Sequence, residues 1–214
     1  LIDNRPVRGF AAFDLDGTLL RGLSVCGLLA AKLGRSARMR EIEALSAEED
    51  LEAARREIAL WYGSLSREEL THTVLSSAVL APGVREGLRI LREARIVVGI
   101  ASITWGFAVE AFAKRLGIEH FIGTALHSDG SIVHCRARHK ADFVRRMQAE
   151  LGLDRAGIAG VGDSQNDVEM LNFVGLPIFV GVTLPDGLRA EHMPGAGIDE
   201  VARRIVDAWA ADAP

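Results

Sequence analysis

The chain alternates between short uncharged runs and longer stretches in which apolar residues recur every third or fourth position. Residues 10–13 (Phe-Ala-Ala-Phe) carry no polar side chain, which suits a strand buried on both faces of a parallel sheet. Residues 96–101, the glycine-rich run 156–162 and residues 176–182 have the same character, Pro177 marking the start of the last. A short strand is predicted over 118–122, and Ser128 to Ser131 reads as a hairpin turn between short extended pieces. Helical spacing fills the intervals, from Pro82 to about residue 92, then 107–116, 140–151, 168–173 and 198–211. Strands alternating with helices predict an open α/β sheet covered by helices on both faces.

One interval breaks the alternation. Leu19, Leu20, Leu23, Leu28, Leu29 and Leu33 stripe a predicted helix over 19–33, ended by Gly34. Met39, Ile42, Leu45, Leu51, Ala54, Ile58 and Trp61 continue the helical spacing over 37–62. Ser46 with Glu49, and Ser66 with Glu69, have capping-box spacing, the second ahead of a helix over 70–80. No strand is predicted between residues 19 and 80. Such a stretch straight after a buried parallel strand predicts a helical insertion.

Composition changes this picture little. At 214 residues, with 49% hydrophobic and 25% charged side chains, the chain fits one domain plus an insertion. A net charge of -4, with no basic run interleaved with aromatics, argues against a nucleic-acid partner. The apolar runs are strand-sized, so no membrane span is expected, and the start lacks the apolar block of a signal peptide. The chain opens on Leu1 rather than Met, so a few residues are expected ahead of it. Cys26 and Cys135 fit neither a disulfide framework nor a zinc site and read as thiols of a reducing compartment. A cytoplasmic location follows as an expectation. The oligomeric state is open.

The chemistry gathers where strands end. Asp14 and Asp16 follow the first strand and share one side of an extended chain, about 6–7 Å apart. Each disfavours the other's ionisation, and a divalent cation is the usual relief. Ligands of open α/β sheets sit outside the carboxyl ends of the strands, and three strands here end at Asp14, Ser102 and Asp163. Asp14, Asp16, Asp163 and Asp167 would bring four negative charges together, which Mg2+, with its preference for oxygen, would offset. Lys140 opposes the dipole at the start of its helix, so a nearby anion is expected. The Ser102 hydroxyl and the N–H groups that follow, beginning with Ile103, suit a phosphate nest. This set points to phosphoryl transfer, with one carboxylate attacking and another handling the proton. Spacing alone leaves open which aspartate attacks, and leaves open a site that only binds phosphate.

Residues 14–19 (Asp-Leu-Asp-Gly-Thr-Leu) resemble the first motif of the haloacid dehalogenase superfamily. Ser102 resembles its second motif and Lys140 its third. Residues 162–167 (Gly-Asp-Ser-Gln-Asn-Asp), continued by Val-Glu-Met, resemble the fourth in its phosphoserine phosphatase form. The resemblance implies a Rossmann-like α/β core over 1–18 and 81–214, and makes residues 19–80 a helical cap. It implies Asp14 as the nucleophile that becomes an aspartyl phosphate, and Asp16 as general acid and base with its backbone carbonyl on Mg2+. It implies Ser102, Ile103 and Lys140 as phosphate ligands, Asp14, Asp16 and Asp163 as the metal site, and Asn166 and Asp167 as supporting residues. The substrate implied is a small phosphorylated metabolite.

Departures from the family pattern bear on that substrate. The glutamate that meets the ammonium of phosphoserine stands nine residues after the nucleophile, where this chain has Leu23. Arg55 or Arg56 falls near the position of the arginine that pairs with the substrate carboxylate. Thr104-Trp105 replaces a glycine pair, which would place bulk and an indole near the leaving group. Phosphoserine and a different, less polar monoester are both expected candidates. Transfer to an alcohol acceptor, and a non-catalytic phosphate-binding role, are the alternatives.

Overall fold

The uncharged run forms β1 (Gly9–Phe13), every residue of which is buried. In this computed structural model, which describes residues 6–45 and 48–211, β1 lies between β4 (Ile96–Trp105) and β7 (Ile158–Gly162), parallel to both. Outside β4 come β5 (His120–Leu126), parallel to it, and β6 (Ile132–Val133), antiparallel across the hairpin. Outside β7 come β8 (Leu176–Phe179) and β9 (Glu191–His192), both parallel. The order is β6-β5-β4-β1-β7-β8-β9.

Alternation along β1 sends its side chains into two separate apolar layers. Ala11 and Phe13 join a core with α5 (Val84–Glu93), α6 (Gly106–Leu116) and α9 (Ile198–Ala211). Phe10 and Ala12 join another with α7 (Ala137–Leu151) and α8 (Val168–Phe173). Phe10 meets Phe143 edge-on, centroids 6.0 Å apart. Truncating such a phenylalanine to alanine costs about 3–5 kcal/mol. The sheet is thus covered on both faces, as the doubly apolar run requires.

The helical interval contains α1 (Val25–Lys32), α2 (Ser36–Glu43), α3 (Glu48–Trp61), a 3-10 turn (Tyr62–Ser64) and α4 (Arg67–Ser77). Two expectations need correction. The helix predicted from residue 19 begins only at Val25, because β2 (Leu20–Arg21) is extended and pairs antiparallel with β3 (Val79–Leu80). Gly22, with φ 85°, turns the chain, and the Ser24 side chain caps α1 by accepting from Gly27 N at 3.0 Å. The helix predicted over 70–80 ends at Ser77, after which Ala78 is extended. A two-stranded ribbon therefore closes the base of an interval in which no strand was predicted. The capping box at Ser66 and Glu69 is present, while the one expected at Ser46 involves a residue outside those described. Among the described residues no helix is long and apolar enough to cross a membrane.

Candidate active site

Asp14 continues β1 out of the sheet, its N–H donating to Val161 O at 2.9 Å. Because β1 lies between β4 and β7, Ser102 and Asp163 flank it at the same edge. Lys140, in the first turn of α7, sends its ammonium to Asp14 Oδ1 and Asp167 Oδ1, 2.6 Å from each. All three side chains are buried, so the anion expected beside Lys140 is present twice over. The other oxygen of Asp167 accepts from Asp163 N, Ser164 N and Ser164 Oγ at 3.0–3.1 Å. Gly162 makes this possible, since a Cβ there would lie 2.4 Å from Asp167 Cγ.

Asp163 accepts from Thr18 Oγ1 at 3.0 Å. Its carboxylate fills the space beside Gly17, where φ is +82° and a Cβ would lie 2.1 Å from Asp163 Oδ2. Asp14, Asp163 and Asp167 each bring a carboxylate oxygen within 4.8 Å of the others. Both Asp167 oxygens are already engaged by donors, which leaves Asp14 and Asp163 as the available hard ligands. This donor set fits a hard divalent cation such as Mg2+. The carboxylate of Asp16 lies outside the trio and accepts from Val25 N at 2.8 Å, at the start of α1.

Burial dominates the electrostatics. It pushes Asp14 well above the carboxylate range, with Lys140 opposing and Asp167 and Asp163 adding to the rise. Asp16 is raised to about 6 by burial, against the hydrogen bond from Val25. Asp163 is raised to about 6 by burial and by its neighbour Asp167. Burial works against the charge of Lys140, but Asp14 and Asp167 outweigh it and push the ammonium up. The site is short of positive charge.

Ser102 is buried, and its Oγ accepts from Thr104 N at 3.3 Å. Pairing of β4 with β5 breaks after Ala101 and resumes at Trp105, a bulge of the kind that re-aims side chains beside active sites. The strand-to-helix turn expected straight after Ser102 is therefore displaced, and α6 begins only at Gly106. Ile103 sits inside the bulge, its carbonyl accepting from Arg55 Nη2 at 3.2 Å and Thr124 Oγ1 at 2.8 Å.

A cavity of about 520 Å³ opens over these groups, with Asp14, Asp16, Ser102, Lys140, Asp163 and Asn166 on the sheet side. Its far wall is Cys26, Met39, Ile42, Ala54, Arg55 and Ile58, from α1, α2 and α3. Of the residues expected to read the substrate, Arg55 lines this cavity. Arg56 does not; it lines a separate cavity of about 650 Å³ with Tyr62 and the β5–β6 hairpin. Leu23 is 55% exposed and lies outside. Trp105, expected near the leaving group, turns its indole away to donate to Tyr62 Oη at 3.1 Å. Thr104 lines the cavity in its place. The Tyr62–Trp105 bond has no short-range signal, since its partners are 43 residues apart.

The sequence matches the haloacid dehalogenase-like hydrolase family over residues 11–172, and the chain belongs to that family. It is 27% identical to a phosphoserine phosphatase of Streptomyces coelicolor over 187 residues, 82% of this chain and 44% of the relative. The chain thus spans less than half the length of that relative. Among solved structures it is similar to a HAD family hydrolase from Salmonella enterica serovar Typhi, with TM-score 0.81 and 19% identity over 92% of this chain and 70% of that one. It is also similar to a substrate-bound phosphoserine phosphatase, with TM-score 0.79 and 18% identity over 92% of this chain and 98% of that one. These likenesses establish the fold.

Proposed function

We propose that this chain hydrolyses a small phosphate monoester with Mg2+, through an aspartyl phosphate on Asp14. The observation that carries the reading is the buried Lys140 ammonium held 2.6 Å from Asp14 at the end of the central strand. A purely structural ion pair has no need of a second, half-buried carboxylate, Asp16, opening onto the same cavity. Asp14, Asp163 and the Asp16 backbone carbonyl would hold Mg2+, which when bound neutralises charge on the phosphoryl oxygens.

Lys140 favours the ionised form of Asp14 against burial and orients the oxygen that attacks phosphorus. Lys140, the Ser102 hydroxyl and the Ile103 N–H hold the phosphoryl oxygens. Asp16, protonated, gives its proton to the departing alcohol oxygen, then takes one from the water that attacks the aspartyl phosphate. Its raised pKa suits this exchange. Asp167 fixes Lys140, and Asn166 supports the same loop. The interval 19–80 acts as a cap over a core of 1–18 and 81–214, excluding bulk water during attack. Arg55, half-buried in the cavity wall and hydrogen-bonded to His134 and the Ile103 carbonyl, suits an anionic substituent on the substrate. Two free thiols, Cys26 and Cys135, favour a reducing compartment such as the cytoplasm.

Hydrolysis of p-nitrophenyl phosphate with Mg2+, and its loss in Asp14→Asn protein that still unfolds cooperatively, is the test. Turnover that survives that substitution, or excess chelator, refutes the reading.

A further inference from the structure

Thr104 carries the feature that the proposed chemistry leaves unused. Its side chain is 7% exposed and lines the cavity beside Asp16 and Cys26. Its Oγ1 is buried with no hydrogen-bond partner among the described residues. The hydroxyl lies near the Asp16 carboxyl and the Cys26 thiol, but neither meets hydrogen-bond geometry with it. A buried hydroxyl left unpaired carries its full desolvation cost, so such a group in a cavity calls for a ligand atom.

The backbone around Thr104 is fixed from three directions. Thr104 N donates to Ser102 Oγ at 3.3 Å, Arg55 of α3 donates to Ile103 O at 3.2 Å, and the Trp105 indole donates to Tyr62 at 3.1 Å. Asp16 is the group proposed to protonate the leaving oxygen. A leaving oxygen protonated by Asp16 would bring the first atoms of the leaving alcohol beside this hydroxyl, which lines the same cavity.

We infer that Thr104 is a specificity-determining residue, whose hydroxyl hydrogen-bonds a polar substituent next to the ester carbon of the leaving alcohol. The substrate class is thereby narrowed to phosphate monoesters with an oxygen or nitrogen at that position, and plain alkyl phosphates are disfavoured. This rests on the phosphatase reading above.

2-Hydroxypropyl phosphate and n-propyl phosphate share a three-carbon chain and differ only in that substituent, so the ratio of their kcat/KM values is the measurement. Thr104→Val removes the hydroxyl at nearly constant volume and is expected to lower the ratio about tenfold. Thr104→Ser keeps the hydroxyl and is expected to hold the ratio near that of the unmodified protein. Should Thr104→Val fail to fold, Thr104→Ala serves the same comparison. Titration calorimetry of the two esters on Asp14→Asn protein gives the same comparison without turnover. An unchanged ratio in the hydroxyl-free variant, with p-nitrophenyl phosphate still hydrolysed, overturns this inference alone. Absence of any phosphatase activity in the unmodified protein overturns both.

Discussion

Lys140 Nζ lies 2.6 Å from Asp14 Oδ1, and neither side chain is more than 6% exposed. The same ammonium is 2.6 Å from Asp167, so one cation offsets two buried anions. Removing one member of such a network leaves uncompensated charge, at a cost of about 3–5 kcal/mol. Lys140→Met is therefore expected to lose about 3 kcal/mol of stability at pH 7 and less at pH 5, where Asp14, already raised by burial, takes up a proton more readily. Urea denaturation at both pH values measures it, and an equal loss at the two would refute the ion-pair account.

The raised carboxylates set a direction for metal linkage. Asp16 and Asp163 move from an ordinary 3.8 to about 6 in the fold. The folded state then holds their protons more tightly than the unfolded chain does. Their contribution to stability is fully present below about pH 4 and is lost as pH rises through about 6. A cation held by the Asp163 carboxylate binds its ionised form and so competes with that proton. The rise in melting temperature on adding Mg2+ is expected to be larger at pH 7.5 than at pH 5. A rise independent of pH would mean that Mg2+ acts away from Asp14 and Asp163.

The strands and the chemical residues were legible for one physical reason. Strands buried on both faces carry no polar side chain, so Asp14 and Asp163 stand out where such runs stop. The expected open α/β sheet is the one observed, in keeping with family membership. The two-stranded ribbon was hidden because Leu19 and Leu20 fit a helical stripe as well as a strand, and only pairing with residues 79 and 80 decides between them. β9 was missed because its two residues, Glu191 and His192, carry no apolar pattern. The direction of the Trp105 indole was equally out of reach, being set by a buried hydroxyl on another element. Local propensity is silent about such choices.

Substrate reading offers the sharpest contrast between motif position and place in the fold. Leu23 occupies the motif position of an ammonium-binding glutamate but is 55% exposed, outside the cavity. Leu23→Glu is therefore expected to leave KM for phosphoserine within about twofold, as for an ordinary surface change. Arg56→Ala should behave likewise, because Arg56 lines a different cavity. Arg55 lines the cavity itself and donates to Ile103 O beside Ser102. Arg55→Gln removes a half-buried charge from the substrate chamber, and is expected to raise KM for phosphoglycolate about tenfold more than for ethyl phosphate. Comparing the two esters separates a lost carboxylate partner from a loosened phosphate loop, since loosening would weaken both alike. Equal effects on the two would assign Arg55 to holding the Ile103 carbonyl, and a large gain for phosphoserine in Leu23→Glu would mean that the side chain reaches the cavity when substrate is bound.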